Sequence, residues 1–337
     1  MIEKLVIKNF KSIKELDIDC RRINLFIGEP NTGKSNILEA LGLLSWRGNL
    51  SEDLREFVRF EETQDLFYDG SLDEKIEIRI DYPPKVTFST EIEFFSDTFQ
   101  IINKSNSWGE DKSKEGFYSI TLDYSGDNSN KNKTMYKLDE LLFLKYYKFL
   151  KQNNFPGKFS SSLLPPHGSN LFALAMGNKE ISSRMTGFFE HLNLKIMLKT
   201  RERAVEIVKQ IDDKLINFPY SSTSETLQRI IFFTIAMESN HNSTLIFEEP
   251  ESFAFPYYTK YLGERIAFDN TNQYFISTHN PYLLFAILEK TSKDAVNVFI
   301  TYLKGYETKV KALTDEEIPI LMDSDPFFNL KKFTEEE

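Results

Sequence analysis

The eight residues Gly28-Glu29-Pro30-Asn31-Thr32-Gly33-Lys34-Ser35 form a complete G-x-x-x-x-G-K-S loop, and the sequence on either side dictates what that loop must join. Before it, Arg22-Ile23-Asn24-Leu25-Phe26-Ile27 is an apolar run of strand length. After it, Ile37, Leu38, Leu41 and Leu44 recur at helical spacing. A strand, a glycine-rich turn and a helix start in that order aim several backbone amides at one point, where they and the helix dipole hold phosphate. Lys34 then reaches the terminal phosphates as a point charge, the Ser35 hydroxyl is a ligand of Mg2+, and Gly28, Glu29, Pro30, Asn31, Thr32, Gly33 and Asn36 complete the cradle. The expected ligand is a nucleoside triphosphate with Mg2+, and the expected fold class is α/β.

Two further strand ends carry polar chemistry. Ser243-Thr244-Leu245-Ile246-Phe247 is a short apolar run ending in Glu248-Glu249, with Pro250 terminating it. Adjacent carboxylates at a strand end can divide the work of hydrolysis: Glu248 holds the Mg2+ shell, through water, while Glu249 orients or deprotonates the attacking water. Thr271 to Ser277 is a further strand, and it ends in Thr278-His279-Asn280-Pro281, one of only four histidines in the chain. His279 at that place is suited to sensing a γ-phosphate by hydrogen bonding. Ahead of the glutamate strand, Ser221-Ser222-Thr223-Ser224-Glu225 opens an apolar helix, and Ser222 with Glu225 reads as a capping box. The same helix start leaves amides and hydroxyls free for an anion.

Taken in order, these motifs resemble the ABC-type ATPases of the RecF, SMC and OLD branch, the stand-alone bacterial proteins often labelled AAA-type ATPases. The resemblance runs from Met1 to about Phe328 and includes the opening Ile2-Glu3-Lys4-Leu5-Val6-Ile7-Lys8-Asn9-Phe10-Lys11-Ser12. It implies an ABC-type P-loop ATPase head with N-terminal antiparallel strands and a mixed strand and helical insertion, hydrolysing ATP with Mg2+. It implies that Lys11 lies on the nucleotide side of its turn, and that Ser222 and Ser224 complete the site of a partner subunit. It also implies a glutamine-loop residue near the metal, for which Gln64 is the candidate. Partners implied are a second copy, as homodimer or higher oligomer through shared ATP sites, and a separate effector protein, as in anti-phage or toxin-like modules. A RecF-like DNA-binding ATPase of repair and an ATP-bound scaffold without turnover are the alternatives. The chain departs from the family pattern at Glu248, where Asp is usual, at Ser221 to Glu225, which lacks the signature glycines, and at Glu251 to Pro256, where a histidine-containing turn is common.

Lys34 and Glu248 must meet around one Mg2+ yet lie far apart in sequence, so a long segment is inserted between them. Within it, Lys75 to Asp81 and Thr87 to Phe95 alternate with period two and predict an antiparallel sheet. Polar stretches from Asn103 to Lys114 and Ser125 to Lys133 read as loops, and Leu138 to Gln152 and Leu171 to Ile216 as helices interrupted by Pro156, Pro165 and Pro166. The expected organisation is an N-terminal ATPase lobe over 1–70, a sheet region over 71–135, a helical lid over 136–216 and a C-terminal ATPase lobe over 217–337. Val296 to Tyr302 and Glu307 to Leu313 predict a closing hairpin.

The remaining features mostly exclude. No heptad pattern persists long enough for a coiled-coil arm, and a single cysteine, Cys20, leaves no zinc hook or disulfide pair. Asp323-Ser324-Asp325 reads as a turn rather than part of a Toprim nuclease. No apolar run reaches membrane-spanning length and the chain begins directly with a strand, so a cytoplasmic location is expected. A net charge of −10 argues against a whole-surface nucleic-acid binder. The basic residues Lys195, Lys199, Arg201, Arg203 and Lys209, read as one helix face with Glu202 and Glu206 between them, are expected to be salt-bridged.

Overall fold

The computed structural model describes residues 1–50, 52–83, 86–107, 114–130, 142–190, 192–323 and 325–334 of the 337-residue chain. β1 (Lys4–Phe10), β2 (Ile13–Asp19) and β3 (Ile23–Gly28) lead into α1 (Lys34–Trp46). Then come β4 (Ile76–Tyr82), β5 (Val86–Phe95), β6 (Thr98–Ser107), β7 (Lys114–Leu122), β8 (Asn128–Asn130) and β9 (Leu144–Tyr147). Next are α2 (Leu171–Gly177), α3 (Lys179–Glu190), β10 (Leu194–Lys199), β11 (Ala204–Ile211) and β12 (Lys214–Pro219). The chain continues through α4 (Glu225–Glu238), β13 (Thr244–Glu248), α5 (Pro256–Phe268), β14 (Gln273–Ser277) and α6 (Pro281–Leu288). It closes with β15 (Val296–Lys304), β16 (Glu307–Ala312), α7 (Glu317–Asp323) and α8 (Lys331–Thr334).

Among the described residues the strands make three sheets, with orders β2-β1-β4-β5-β6-β7-β8, β10-β11-β12 and β16-β15-β3-β14-β13-β9. The last carries the site. In it β9, β13, β14, β3 and β15 are parallel, and β16 closes the edge antiparallel to β15. A parallel sheet must be covered on both faces, because its crossovers lie on them, and the residues comply by alternating. Leu25, Phe247 and Ile276 face one apolar core that includes α4, α5 and α6, while Phe26, Ile246 and Phe275 face another that includes α1 and the antiparallel sheet. Register then decides function. Glu248 lies opposite Ser277, and Ser277 opposite Phe26, so the carboxyl ends of β13, β14 and β3 finish at nearly one level.

The strands predicted over 75–81 and 87–95 and the closing hairpin are present as β4, β5 and the β15–β16 pair. The insertion contains more sheet than the sequence patterns predict. The basic run 195–209 is not a helix but the β10–β11 hairpin, in which Leu194, Ile196 and Leu198 share one face and Lys199 pairs with Glu206. Of the helix expected over 171–216, only α2 and α3 are helical. Within 138–152, residues up to 141 lie outside the described part, and the described remainder carries β9, buried between α1 and β13, rather than a helix. Asn103 belongs to a strand and not a loop: it is buried in β6, where its side-chain oxygen accepts from Thr90 Oγ1 at 2.7 Å. The β7–β8 end likewise has strand pairing at Asn128 and Asn130; residues 131–133 lie outside the described part.

Candidate nucleotide and metal site

The loop between β3 and α1 is shaped from the side by β16. Gly33 has φ 95°, and a Cβ there would stand 2.1 Å from Thr308 Oγ1; one at Gly28 would stand 2.4 Å from the Thr301 carbonyl. Only glycine lets the backbone turn and fit against those threonines. A chain of hydroxyls fixes this wall: Asn36 Nδ2 donates to Ser12 Oγ at 2.6 Å, Ser12 Oγ lies 2.7 Å from Thr308 Oγ1, and Thr308 Oγ1 donates to the Thr32 carbonyl at 3.1 Å. Thr32 Oγ1 in turn lies 2.7 Å from Thr301 Oγ1 and donates to the Glu29 carbonyl at 2.8 Å. Asn31 adopts φ 63°, which sharpens the turn. Lys34 Nζ folds back over the loop and donates to the carbonyls of Gly28 and Glu29, both at 2.8 Å. Burial lowers its pKa, and the charge of Glu249 opposes that shift, which places the two groups in one field.

The acidic side is equally built. Glu248 accepts from Tyr146 OH at 3.1 Å, and Arg59 Nη2 lies 3.4 Å from its other oxygen. Next to it, Glu249 has a left-handed backbone, φ 42°, an uncommon conformation for a residue with a side chain. That turn aims its carboxylate at His279: Oε1 lies 3.0 Å from Nδ1, and Ser252 Oγ donates to Oε2 at 3.2 Å. Glu251 closes the turn from below. It is 2 % exposed, accepts from Thr278 Oγ1, and leaves Oε2 without a partner. Burial pushes its pKa up to about 7. Thr278 Oγ1 also accepts from the Asn280 amide at 3.0 Å, so Glu251 and Thr278 together set where His279 stands.

Lys11, in the β1–β2 turn with φ 52°, donates to the carboxylate of Glu39 on α1 and to the Arg59 carbonyl. Burial lowers its pKa, with Glu39 opposing. Neither Glu39 nor Arg59 is marked by any motif spacing. The one available signal was a carboxylate set among the apolar positions of the helix after the phosphate loop. A cleft of about 820 Å³ opens beside this turn, lined by Lys11, Ser12, Arg59, Phe67 and Tyr306 among others.

The serine-rich helix start differs from expectation. α4 begins at Glu225 with Ser224 as its N-cap residue, and no side chain caps it. Glu225 therefore forms no capping box with Ser222; its carboxylate accepts from Arg229 Nη2 at 3.1 Å, one helical turn on. Ser222 and Ser224 are both exposed. Gln64 donates its side-chain amide to the Gly70 carbonyl at 2.8 Å within its own turn.

These residues fit the group their pattern implies. Mg2+ takes hard oxygen ligands and keeps several waters. Ser35 and Glu248 would offer two such oxygens, and phosphate and water would supply the rest. Among the described residues no cluster of three or more His, Cys, Asp or Glu could hold a metal unaided, which suits an ion that shares its ligands with a triphosphate. Gly28 and Gly33 let the loop lie against Thr301 and Thr308, the wall that holds its turn.

Comparison with known proteins agrees with this geometry. The chain is 28 % identical over 167 residues to a Helicobacter pylori protein named ATP/GTP phosphatase, covering 46 % of this chain and 42 % of that protein. It is 37 % identical over 90 residues to an uncharacterized protein, MJECL10, of Methanocaldococcus jannaschii, covering 23 % of this chain and 41 % of that one. The chain thus spans about two fifths of the length of these curated relatives. A crystal structure of an SMC head bound to the C-terminal winged-helix domain of ScpA superposes with a TM-score of 0.51 at 14 % identity, covering 95 % of this chain and 99 % of that one, a likeness of fold. Residues 1–228, about two thirds of the sequence, match the AAA_15 family, described as an AAA ATPase domain. With a phosphate loop, paired glutamates and a histidine turn at the end of one parallel sheet, the chain belongs to the AAA_15 ATPase domain family and has the fold of an SMC/RecF-like ABC-type ATPase head.

Proposed function

We propose that this chain binds ATP with Mg2+ at the carboxyl end of β3, hydrolyses it with Glu249, and pairs with a second copy when ATP is bound. The observation that carries the reading is the register of three strand ends: Glu248 stands opposite Ser277 and Ser277 opposite Phe26, two residues before Gly28, which supports phosphate loop, paired glutamates and histidine turn acting at one end of the sheet. Ligands of open α/β sheets bind at that place. The about 820 Å³ cleft beside Lys11 has the size for a nucleoside, with Phe67 and Tyr306 offering ring faces.

Each residue then has a task. Backbone amides at the helix start, after Pro30, hold the β-phosphate, and Lys34 leaves the loop carbonyls for the terminal phosphates. Glu248 and Ser35 hold Mg2+, which when bound neutralises phosphate charge. Glu249, held by His279 and Ser252, orients the attacking water and takes its proton, while His279 faces the γ-phosphate. The exposed hydroxyls of Ser222 and Ser224 reach the phosphates of a partner copy, which would explain why they cap no helix of their own. Gln64 joins the metal site only after its turn opens. The effector is a separate protein, released or held according to nucleotide state, in an anti-phage setting within the cytoplasm; family resemblance supports this part. We retain as working units the lobes 1–70 and 217–337, the sheet region 71–135 and the lid 136–216.

The test joins turnover to mass. Lys34→Ala and Glu249→Gln are each expected to lose at least about a hundredfold in turnover, the scale of a lost general base or phosphate ligand. Glu249→Gln is expected to keep ATP affinity and to sediment as a two-chain particle only with ATP; Ser222→Ala with Ser224→Ala should weaken that particle. Turnover that survives Glu249→Gln would overturn the catalytic assignment, and ATP binding without any turnover in the wild type would leave the scaffold reading in its place.

A further inference from the structure

We propose that Arg59 is the resident cation of the metal carboxylate: it occupies Glu248 when Mg2+ is away and must give up that contact when Mg2+ arrives. The inference rests on the reading of Glu248 as the metal-holding residue. Its geometry begins with the backbone. A Cβ on Gly42 of α1 would stand 2.7 Å from the Phe57 carbonyl, so the absence of a side chain there lets the segment after α1 lie against the helix. Leu54, Phe57 and Val58 are buried and anchor that segment, and the Arg59 carbonyl accepts from Lys11 Nζ. The main chain of Arg59 is thereby fixed while its side chain reaches across two acids. Nε binds Glu39, which is 1 % exposed, and Nη2 lies 3.4 Å from Glu248 Oε1.

The two ends of this bridge differ in strength, and the difference gives it a direction. Glu39 is buried and holds Lys11 as well, so it keeps its cations; leaving a buried carboxylate unpaired is costly. The Glu248 side chain is 19 % exposed and that of Arg59 56 % exposed, so water can replace that contact at little cost. A divalent ion outcompetes it, and Arg59, still tethered to Glu39, faces the cleft that Lys11 lines. The remaining oxygen of Glu248 stays oriented by Tyr146 OH throughout. Arg59 is thus a positioning residue: it keeps Glu248 ordered and neutralised before the ion enters.

The test measures metal binding and needs no turnover. Mn2+ is titrated into protein held in excess over a non-hydrolysable ATP analogue, which supplies the ligands the protein lacks, and is followed by electron paramagnetic resonance. Arg59→Gln is expected to bind Mn2+ about two- to fivefold more tightly than wild type, the range an exposed ion pair allows. Arg59→Lys, which keeps a cation without the two-acid bridge and guards against misfolding of the first variant, is expected to fall between them. In the Arg59→Gln, Glu248→Gln double variant the gain should vanish. Equal or weaker Mn2+ binding in both Arg59 variants would overturn the inference. If the wild type shows Mn2+ binding that Glu248→Gln leaves intact, the assignment of Glu248 itself fails instead, so the two outcomes are distinct.

Discussion

At the scale of single residues, the turn after β13 concentrates unusual chemistry in four positions. Glu248 is paired, Glu249 is held in a left-handed backbone, and Glu251 is buried with one oxygen lacking a partner. A carboxyl whose folded pKa is raised stabilises the fold most when both states are protonated, and that contribution is lost as pH rises through the folded value. For Glu251 the window runs from the ordinary 4.5 up to about 7. Wild-type stability is therefore expected to fall by a few kcal/mol between about pH 5 and 7.5. Glu251→Gln, which stays neutral, should flatten that slope in urea titrations at the two pH values; an unchanged slope would show that Glu251 is not the source. The phosphate loop, both glutamates and His279 were legible in the sequence because the chemistry constrains their spacing. Glu39, Arg59 and the threonine wall were not, because long-range packing brings them in and no local pattern marks it.

At the scale of elements, β16 shows how a strand remote in sequence from the phosphate loop shapes it. Its Thr308 hydroxyl joins the turn after β1 to the loop after β3, so the hairpin is a wall of the cradle rather than a decoration of the sheet edge. Thr308→Val keeps the shape and removes the hydroxyl. It should cost about 1 kcal/mol in stability and weaken ATP binding several-fold, read by calorimetry; unchanged affinity would mean the wall does not shape the loop. The elements misread from sequence share a cause. Leu194, Ile196 and Leu198 already recur with period two, but Met197 between them blurs the alternation and the charges at Lys195, Lys199 and Arg201 to Arg203 imitate a helix face. Leu144 to Tyr147 is short, with Leu144, Tyr146 and Tyr147 buried, and a run of that length does not distinguish strand from helix. Glu225 matched a cap by spacing alone, whereas Arg229 at the next helical turn was the stronger partner.

At the scale of the whole molecule, the six-stranded sheet belongs to both apolar cores, since successive residues of β3, β13 and β14 point into opposite ones. The two cores should therefore unfold together. Phe275→Ala, on the side of α1, is expected to cost about 3–5 kcal/mol and to lower a single thermal transition seen both by near-ultraviolet dichroism and by calorimetry. Two separated transitions would mean the cores are independent. The same sheet sets a schedule for biosynthesis. β3 is made early, but its neighbours β14 and β15 come late, and Thr32 meets Thr301 across 269 positions of sequence. Until those strands leave the ribosome, the glycine loop has no walls and the glutamates no sheet to present them. A nascent or prematurely ended chain that carries the whole phosphate-loop motif thus lacks the site, and nucleotide binding becomes a report that synthesis has passed Thr308.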